Sequence, residues 1–326
     1  MQPIPKTLGA FIGACSLALA AAGSNAKDAK DITIAYVANS MQFPYDAALG
    51  KGFQDYCKEM GCKAIVIDPR NSVERQGNAI EDLISQKVDG IAIIATDAIV
   101  ALNWVDRLAE KKIPFVAAAA QIGDPDKVPL KQVNPKLTAL VVTDDVVAGE
   151  RAGELAAKML PKGRVVKIGI VEGAPGFAVV RQRTEGFTKA LTAAGVKFQI
   201  VASQPTDWSP AKGEAVCQNM LTANPDLDML FSHADDMALG CSRAIRAANS
   251  KVKLVATGGG SKLGNDAIKN GEMDGSVCTK PGTIGRLAAK ALFEAATGKN
   301  TKMAQFISYE TPAITKANLA DCPAEW

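Results

Sequence analysis

The sequence predicts an α/β protein built from two similar lobes, each a parallel β-sheet covered by helices. From Asp31 onward, short apolar runs alternate with segments long enough for several helical turns, a pattern typical of βαβ units. The chain has 326 residues, more than the ~100–200 expected of one domain. Two runs of such units follow each other, so we expect two lobes with separate cores.

The first run of units starts at an apolar strand and ends at a long irregular loop. Its predicted strands cover residues 32–38, 64–68, 90–94 and 115–118, and its predicted helices cover 46–60, 72–86 and 98–112. Gly61 suits the position after a helix, and the Ser72 hydroxyl can accept from the free amides of a first turn. Residues 119–139 have no periodicity, which indicates a functional loop or a lobe boundary.

The second run repeats the pattern after a short strand at 140–142 and a helix from Asp145 to residue 160. Its predicted strands cover residues 164–170, 197–202, 229–232, 253–257, 273–278 and 306–309, and its predicted helices cover 177–194, 209–224, 236–247, 263–270 and 283–297. In the stretch 230–241, LFSHADDMALGC, an apolar strand ends in polar residues and a helix follows at once. Strands that end this way present those residues at the carboxyl edge of a sheet, where small ligands bind.

The first 26 residues have the composition of an export signal. Lys6 is their one charged side chain, an apolar run covers residues 8–22, and Ser24 and Ala26 provide the small residues of a cleavage site. Because ~20 apolar residues are needed to span a bilayer, we interpret residues 1–26 as a signal peptide that directs the chain to the periplasm. The alternative is a lipoprotein signal, IGAC, with Cys15 as the lipid-anchored residue.

Six cysteines remain after removal of the signal, an even number that permits up to three disulfides in an exported chain. Neighbourhood in the sequence favours the pairs Cys57–Cys62 and Cys217–Cys241, which leaves Cys278–Cys322 as the third. The alternative is a set of buried free thiols, since cysteine is often a small core residue. A zinc site is disfavoured because the chain has one histidine and no CxxC pair.

Composition and motifs argue against several classes of function. The formal charge is +3 with no block of basic residues, which disfavours nucleic-acid binding. One histidine, no GxSxG and no reactive Cys–His pairing disfavour an enzyme. Residues 258–260 are all glycine but match no phosphate-binding loop. We therefore expect no catalytic residues, no cofactor and no metal.

Several motifs in a fixed order resemble one family. They are IAYVANSMQFPY, IATDAIVA, TDDVVAGERAGELAAK, VVRQRTEGF, ASQPTDWSPAKG, LFSHADDMALG and GTIGRLAAKAL. Together they resemble the ribose-binding group of periplasmic substrate-binding proteins of ABC transporters, the type I periplasmic binding proteins. The resemblance implies two doubly wound parallel-sheet lobes joined by three hinge crossings. It places one lobe at 31–143 plus 280–310 and the other at 144–279 plus 311–326.

The resemblance also implies a set of ligand contacts. The family's aromatic pair after the first strand falls on Tyr45 and Asp46, and the pairing survives, shifted, as Phe43 and Tyr45. Arg181 in VVRQR matches the second-lobe arginine, and Trp208 in TDWSP matches the second-lobe aromatic residue.

Two further residues have alternative interpretations. His233 either donates to the ligand or supports a ligand contact. Asp144 either contacts the ligand or caps the helix that follows it. Asp235 and Asp236 are expected to cap their helix and interact with its dipole.

Several polar ligand contacts of the family are missing from this chain. The family's Asp-Arg pair falls on residues 119–120, both alanine; its asparagine falls on Ala234, its aspartate on Gly259 and its hinge glutamine on Thr279. Because an unpaired buried polar group costs ~1–3 kcal/mol, a site that has lost these groups is expected to take a different ligand. We expect a polyol or modified sugar, or a ring compound with an acidic or carbonyl group for Arg181.

The function expected from the resemblance is solute capture between two lobes. The protein would act as a monomer and deliver its ligand to the membrane permease and ATPase subunits of an ABC importer. The alternative is a periplasmic sensory receptor that signals to a membrane kinase or chemoreceptor.

Overall fold

The computed structural model of the chain describes residues 1–2 and 27–326. Apart from residues 1–2, the predicted signal peptide, which includes Cys15, lies outside the described residues. The strands are β1 (Thr33–Val37), β2 (Lys63–Ile67), β3 (Gly90–Ile93), β4 (Phe115–Ala118), β5 (Ala139–Val141), β6 (Val166–Glu172), β7 (Phe198–Pro205), β8 (Met229–Ser232), β9 (Lys253–Ala256), β10 (Ser276–Val277), β11 (Gln305–Ile307) and β12 (Ala313–Ile314).

Helices follow most of the strands, as in βαβ units. They are α1 (Pro44–Met60), α2 (Val73–Ser85), α3 (Ala101–Glu110), α4 (Asp145–Met159), α5 (Ala178–Ala193), α6 (Pro210–Ala223), α7 (Asp235–Ala247), α8 (Lys262–Asn270) and α9 (Pro281–Ala296). Ser72 caps α2 by accepting from the Arg75 amide, and Gly61 ends α1 with φ of 77°.

Two parallel sheets and one short antiparallel pair make up the fold. The first sheet has the order β11-β5-β4-β3-β1-β2, and the second has the order β7-β6-β8-β9. The chain leaves the first sheet after β5, builds the second from β6 to β9, returns for α9 and β11, and then pairs β12 with β10. The predicted α/β fold of two doubly wound lobes joined by three crossings is thereby confirmed.

Each sheet is covered by helices on both faces. In the first sheet, α1 and α9 pack on one face and α2 and α3 on the other. In the second sheet, α4 and α5 cover one face and α6, α7 and α8 the other. Strands buried on both faces must be apolar throughout, which explains the uninterrupted apolar runs in the sequence.

Three helix pairs pack through glycines whose missing side chains let the backbones approach closely. A Cβ on Gly52 would lie 2.0 Å from the Gly282 carbonyl oxygen between α1 and α9. A Cβ on Gly186 would lie 2.0 Å from the Val146 carbonyl oxygen between α5 and α4, and one on Gly240 equally close to Pro210 between α7 and α6. The high glycine content therefore serves helix packing directly.

The three predicted disulfides are all present, Cys57–Cys62, Cys217–Cys241 and Cys278–Cys322. Within residues 1–2 and 27–326, no helix is long and apolar enough to cross a membrane. No group of histidine, cysteine or acidic side chains suited to a metal ion occurs in that same part of the chain.

A few predicted elements differ from the structure. The helix predicted from residue 98 begins at Ala101, because the Asp97 carboxylate first accepts from the amides of Ile99 and Val100. The strand predicted at 273–278 is reduced to β10, and its antiparallel partner β12 was not predicted. Two-residue strands carry too little periodicity to be recognised in a sequence.

A cleft between the two sheets

The carboxyl ends of both sheets open into one cleft. The first sheet contributes Asn39 after β1, Asn71 after β2, Thr96 after β3, Ala119 and Ala120 after β4 and Thr143 after β5. The second sheet contributes Ala174 after β6, Asp207 after β7, Ala234 after β8 and Gly258 after β9. The cleft has a volume of about 770 Å³, which lies in the range of small-molecule sites.

A smaller cavity of about 340 Å³ continues from the main cleft. The two spaces share Thr96, Ala119, Ala120, Asp145 and Phe177 among their lining residues. The alanines follow β4, at the position where the resemblance implies an Asp-Arg pair. Their short side chains therefore leave the main cleft and the smaller cavity connected.

Aromatic side chains line the cleft from both lobes. Phe43 and Tyr45, at the start of α1, line it from the first lobe, while Trp208 and Phe177 line it from the second. The rings of Phe177 and Trp208 meet edge to face, 6.0 Å apart. The three aromatic residues predicted for the site are therefore brought together at the cleft.

A close backbone contact fixes the position of Trp208. Its φ is 67°, a left-handed conformation that is uncommon for a large side chain. Its indole ring lies directly over Gly173, where an added Cβ would be 1.8 Å from Cη2. The Trp208 amide donates to the Thr206 hydroxyl at 3.2 Å. Gly173 is therefore required for Trp208 to lie in the cleft wall.

Asp46 is a buried carboxyl group at the first-lobe side of the cleft. Its Oδ2 accepts from the backbone amides of Asn39 and Ser40, both at 3.0 Å, as the chain turns from β1 into α1. Burial raises the pKa of Asp46 to about 7, although the two amide hydrogen bonds favour the charged form. Oδ1 makes no hydrogen bond to any described residue.

Arg183 is the guanidinium that lines the cleft. Its Nε donates to Asp145 Oδ1 at 2.7 Å, and its Nη1 donates to the His233 carbonyl oxygen. Both charged side chains are almost fully buried. Burial raises the pKa of Asp145, while the charge of Arg183 opposes the rise. The charges of Arg183 and Asp145 therefore largely neutralise each other. Arg183 Nη2 has no hydrogen bond to a described residue.

Arg181, the arginine predicted to contact the ligand, is not among the cleft-lining residues. Its side chain is 53% exposed and pairs with Asp126 at 2.6 Å. It also donates to the Pro125 carbonyl oxygen at 2.6 Å. Because α5 belongs to the second lobe and residues 125–126 follow the first-lobe strand β4, Arg181 joins the two lobes at the edge of the cleft.

His233 lies in the protein interior, away from the cleft surface. It is fully buried, its Nε2 pairs with the Thr184 hydroxyl at 2.9 Å, and its Nδ1 faces the Gly173 amide at 3.4 Å. Burial and the nearby Arg183 charge lower the pKa of His233 to about 3. The side chain of His233 is therefore paired within the protein, and its backbone carbonyl oxygen accepts from Arg183.

Of the other predicted positions, one lines the cleft, two are buried beside it and one caps a helix. Ala234 lines the cleft. Gly259 and Thr279 do not; the Thr279 hydroxyl donates to the Gly259 carbonyl oxygen at 2.9 Å, and both residues are buried. Asp144 pairs with Lys131 at 2.9 Å and accepts from the Val147 amide. It therefore caps α4, as one of its two interpretations predicts.

The expectation that Asp235 and Asp236 cap α7 is wrong. No side chain caps that helix at Ala234. Asp235 is buried and accepts from the Ser276 hydroxyl at 2.6 Å, and burial raises its pKa to about 8. Asp236 lines the cleft, and burial raises its pKa also.

Sequence reasoning missed several lining residues. They are Asn39, Asp46, Asn71, Thr96, Asp145, Phe177, Arg183, Asp207, Asp236 and Trp326. Most follow a strand or start a helix, so their positions after the predicted strands were an available signal. Trp326 belongs to no recognised motif, and only the folded chain brings it to the cleft.

The three segments that connect the lobes meet at one hydroxyl group. Tyr309 Oη lies 2.8 Å from the Thr143 hydroxyl and accepts from the Lys280 amide at 2.8 Å. Thr143 follows β5, Lys280 precedes α9 and Tyr309 follows β11. Burial raises the pKa of Tyr309 to about 12, so the hydroxyl stays protonated.

Comparison with known proteins identifies the family. A sequence profile of the periplasmic binding protein domain matches residues 34–300. Ribose import binding protein RbsB of Bacillus subtilis (strain 168) is 32% identical over 301 residues, which cover 91% of this chain and 93% of the relative. The D-allose-binding periplasmic protein of Escherichia coli (strain K12) is 29% identical over 265 residues, 80% of this chain and 83% of its own.

Solved structures share the fold. An ABC transporter solute binding protein from Bacillus halodurans C-125, solved with bound myo-inositol, matches with a TM-score of 0.80 and 19% identity over 93% of this chain and 100% of its own. The relatives are named as binding proteins, in agreement with the expectation that this chain is not an enzyme. The chain therefore belongs to the type I periplasmic binding protein family, in its ribose- and sugar-binding group.

Proposed function

We propose that the protein captures one neutral polyhydroxylated ligand, a sugar or a polyol, in the cleft between its lobes. The observation that carries this proposal is the composition of the cleft wall. Aromatic rings from both lobes can pack on the apolar faces of a ring, while Asp46 Oδ1 and Arg183 Nη2 are left to bind hydroxyl groups. The names of the sugar-binding relatives support the same class of ligand.

The charges at the cleft favour a neutral ligand over an acidic one. Four carboxyl groups line it, from Asp46, Asp145, Asp207 and Asp236. Among the described lining residues, Arg183 is the one basic side chain, and Asp145 already neutralises it. An anionic ligand would meet excess negative charge, since Arg181 pairs with Asp126 outside the cleft.

The role in transport follows from lobe closure. We propose a first lobe of residues 31–143 plus 280–310 and a second of 144–279 plus 311–326, which rotate about the segments joined at Tyr309. A ligand that contacts both lobes stabilises the closed form by its additional contacts there. The closed, exported monomer would then be recognised by the permease and ATPase subunits of an ABC importer.

A thermal-shift screen tests the proposed ligand class. The compounds are pentoses, hexoses, inositols, nucleobases and aromatic acids, each added in excess to the protein. Binding to the folded state alone raises the unfolding temperature. We expect a rise with at least one sugar or polyol and none with the aromatic acids. A rise with an acid or a nucleobase, and none with any sugar or polyol, would overturn the proposal.

A further inference from the structure

Trp326 lies at the ligand cleft although no motif of the sequence marks it. It is among the residues that line the cleft. Its ring meets Tyr45 edge to face, with 5.9 Å between ring centroids and an angle of 84° between the ring planes. Tyr45 belongs to α1 of the first lobe, so Trp326 extends the aromatic wall on that side.

The segment 325–326 is held by hydrogen bonds to elements of both lobes. The Trp326 carbonyl oxygen accepts from the Lys262 amide at 2.7 Å, and the Glu325 amide donates to the Gly260 carbonyl oxygen at 3.1 Å. The Glu325 carboxylate accepts from the Thr283 amide at 3.1 Å and from its hydroxyl at 2.8 Å. Trp326 is therefore held in place by backbone contacts as well as by its ring.

The disulfide Cys278–Cys322 fastens the chain shortly before this segment. It joins residue 322 to the end of β10. The Cys322 carbonyl oxygen also accepts from the Asn265 side chain at 2.9 Å. A short segment fixed at both ends restricts the positions open to the indole ring, which is the condition for a well-defined binding contact.

The indole Nε1 of Trp326 is buried and has no hydrogen-bond partner among the described residues. Buried indole N–H groups ordinarily have an acceptor. Because this N–H is closed off from the cleft surface, the part of Trp326 that can serve a ligand is its ring, which extends the wall beside Tyr45.

We propose that Trp326 is a specificity-determining residue of the ligand site. Its ring packs with Tyr45 against an apolar face of the ligand. This inference rests on the proposed function, because it adds a contact to the same cleft. It selects for ring compounds that present an apolar face to the Tyr45–Trp326 pair.

Indole resonances of protein labelled with nitrogen-15 test this contact. The chain has three tryptophans, Trp104, Trp208 and Trp326, and a phenylalanine variant of each assigns its signal. The probes are D-ribose, D-allose, myo-inositol, adenine and benzoate. On saturation with a probe that binds, we expect the Trp326 signal to shift. The signal of Trp104, which is buried in the core of the first sheet, should stay in place.

Affinities of matched variants provide the second readout. We expect the Kd of the bound probe to rise by about tenfold in Trp326→Ala and by less in Trp326→Phe, which keeps a smaller aromatic ring. The control Trp104→Phe removes an indole that does not line the cleft, and its Kd should equal that of the wild type. Circular dichroism of each variant checks that it is folded.

The outcomes separate this inference from the proposed function. If a sugar or polyol binds and the Trp326 signal and the variant affinities stay unchanged, Trp326 is not a ligand contact, while the proposed function stands. If adenine or benzoate alone binds and the Trp326 signal shifts, the contact is correct and the sugar proposal falls. A shift with a sugar or polyol, accompanied by weaker binding in Trp326→Ala, supports both.

Discussion

Asp46 combines burial with direct access to the ligand cleft. Its pKa of about 7 lies far above the ordinary value of 3.8 because the carboxyl is removed from water. A carboxyl with a raised pKa stabilises the folded state most when protonated, so this contribution is lost as the pH rises from the ordinary value through about 7. Ligand binding should have the opposite dependence, since the ionised carboxylate is the stronger acceptor for a hydroxyl.

We therefore predict that ligand affinity increases with pH and that Asp46 is the cause. Between about pH 5.5 and about pH 8.5 the Kd of a sugar or polyol should fall, with a midpoint near the pKa. In Asp46→Asn the Kd should be higher at the alkaline end and should not vary over this range. Titration calorimetry at several pH values measures both. A wild-type Kd that does not vary with pH, or a variant that keeps the variation, would contradict the role given to Asp46.

The arginines of the VVRQR motif show how far single residues can be predicted. The motif carries two arginines: Arg183 lines the cleft, while Arg181 pairs with Asp126 outside it. Residues two positions apart on a helix point in nearly opposite directions, so a resemblance that identifies the helix does not by itself distinguish which of the two side chains faces a ligand. The partners Asp145 and Asp126 come from distant parts of the chain, and only the folded structure identifies them.

Helix packing through glycine is the main feature at the scale of elements. Gly186 of α5 lies against the backbone of α4, and an added Cβ would lie 2.0 Å from the Val146 carbonyl oxygen. Neither backbone can move without displacing its helix from the sheet. Gly77 in α2 is different, since a Cβ there would lie 3.5 Å from the Trp104 ring, an ordinary contact distance.

We predict opposite effects for two substitutions of a helical glycine by alanine. Gly186→Ala should reduce the free energy of unfolding by about 1–3 kcal/mol, because the added methyl group overpacks the α4–α5 contact. Gly77→Ala, the matched control, should raise it by about 0.5–1 kcal/mol through the lower entropy of the unfolded chain. Urea denaturation of both variants measures these changes. Equal effects of the two substitutions would refute the packing argument.

Elements with strong periodicity were predictable from the sequence, and short or paired features were not. The strands at 115–118 and 229–232 match β4 and β8 residue for residue, because continuous apolar runs between polar segments mark buried strands. Strand β12 has two residues and depends on pairing with β10. The cysteine pairs were predictable because each lies near its partner in sequence or remains by elimination.

At the scale of the whole molecule, contacts across the open edge of the cleft bear on lobe closure. Arg181 of the second lobe contacts both Asp126 and the Pro125 carbonyl oxygen of the first. We propose that this ion pair stabilises the closed form of the two lobes. Its side chains are largely exposed, so the contribution should be small and sensitive to salt.

We predict that Arg181→Ala and Asp126→Ala each weaken ligand binding slightly, and that Arg181→Ala, which also loses the bond to the Pro125 carbonyl oxygen, weakens it at least as much. Each should raise the Kd about two- to fivefold at low ionic strength, and less in high salt. The double variant should bind no more weakly than Arg181→Ala, since that substitution already removes the ion pair. A much larger loss in Arg181→Ala alone would instead support the direct ligand contact that the sequence resemblance implies.

The central claim is that one sugar or polyol binds between the lobes, and calorimetric titration tests it most directly. The ligand is the sugar or polyol that gives the largest thermal shift, and the proteins are the wild type, Trp208→Ala and the control Trp104→Phe. We predict about one ligand per chain for the wild type and the control, with at least ~tenfold weaker binding in Trp208→Ala. Equal binding by all three proteins would place the ligand outside the cleft and contradict the claim.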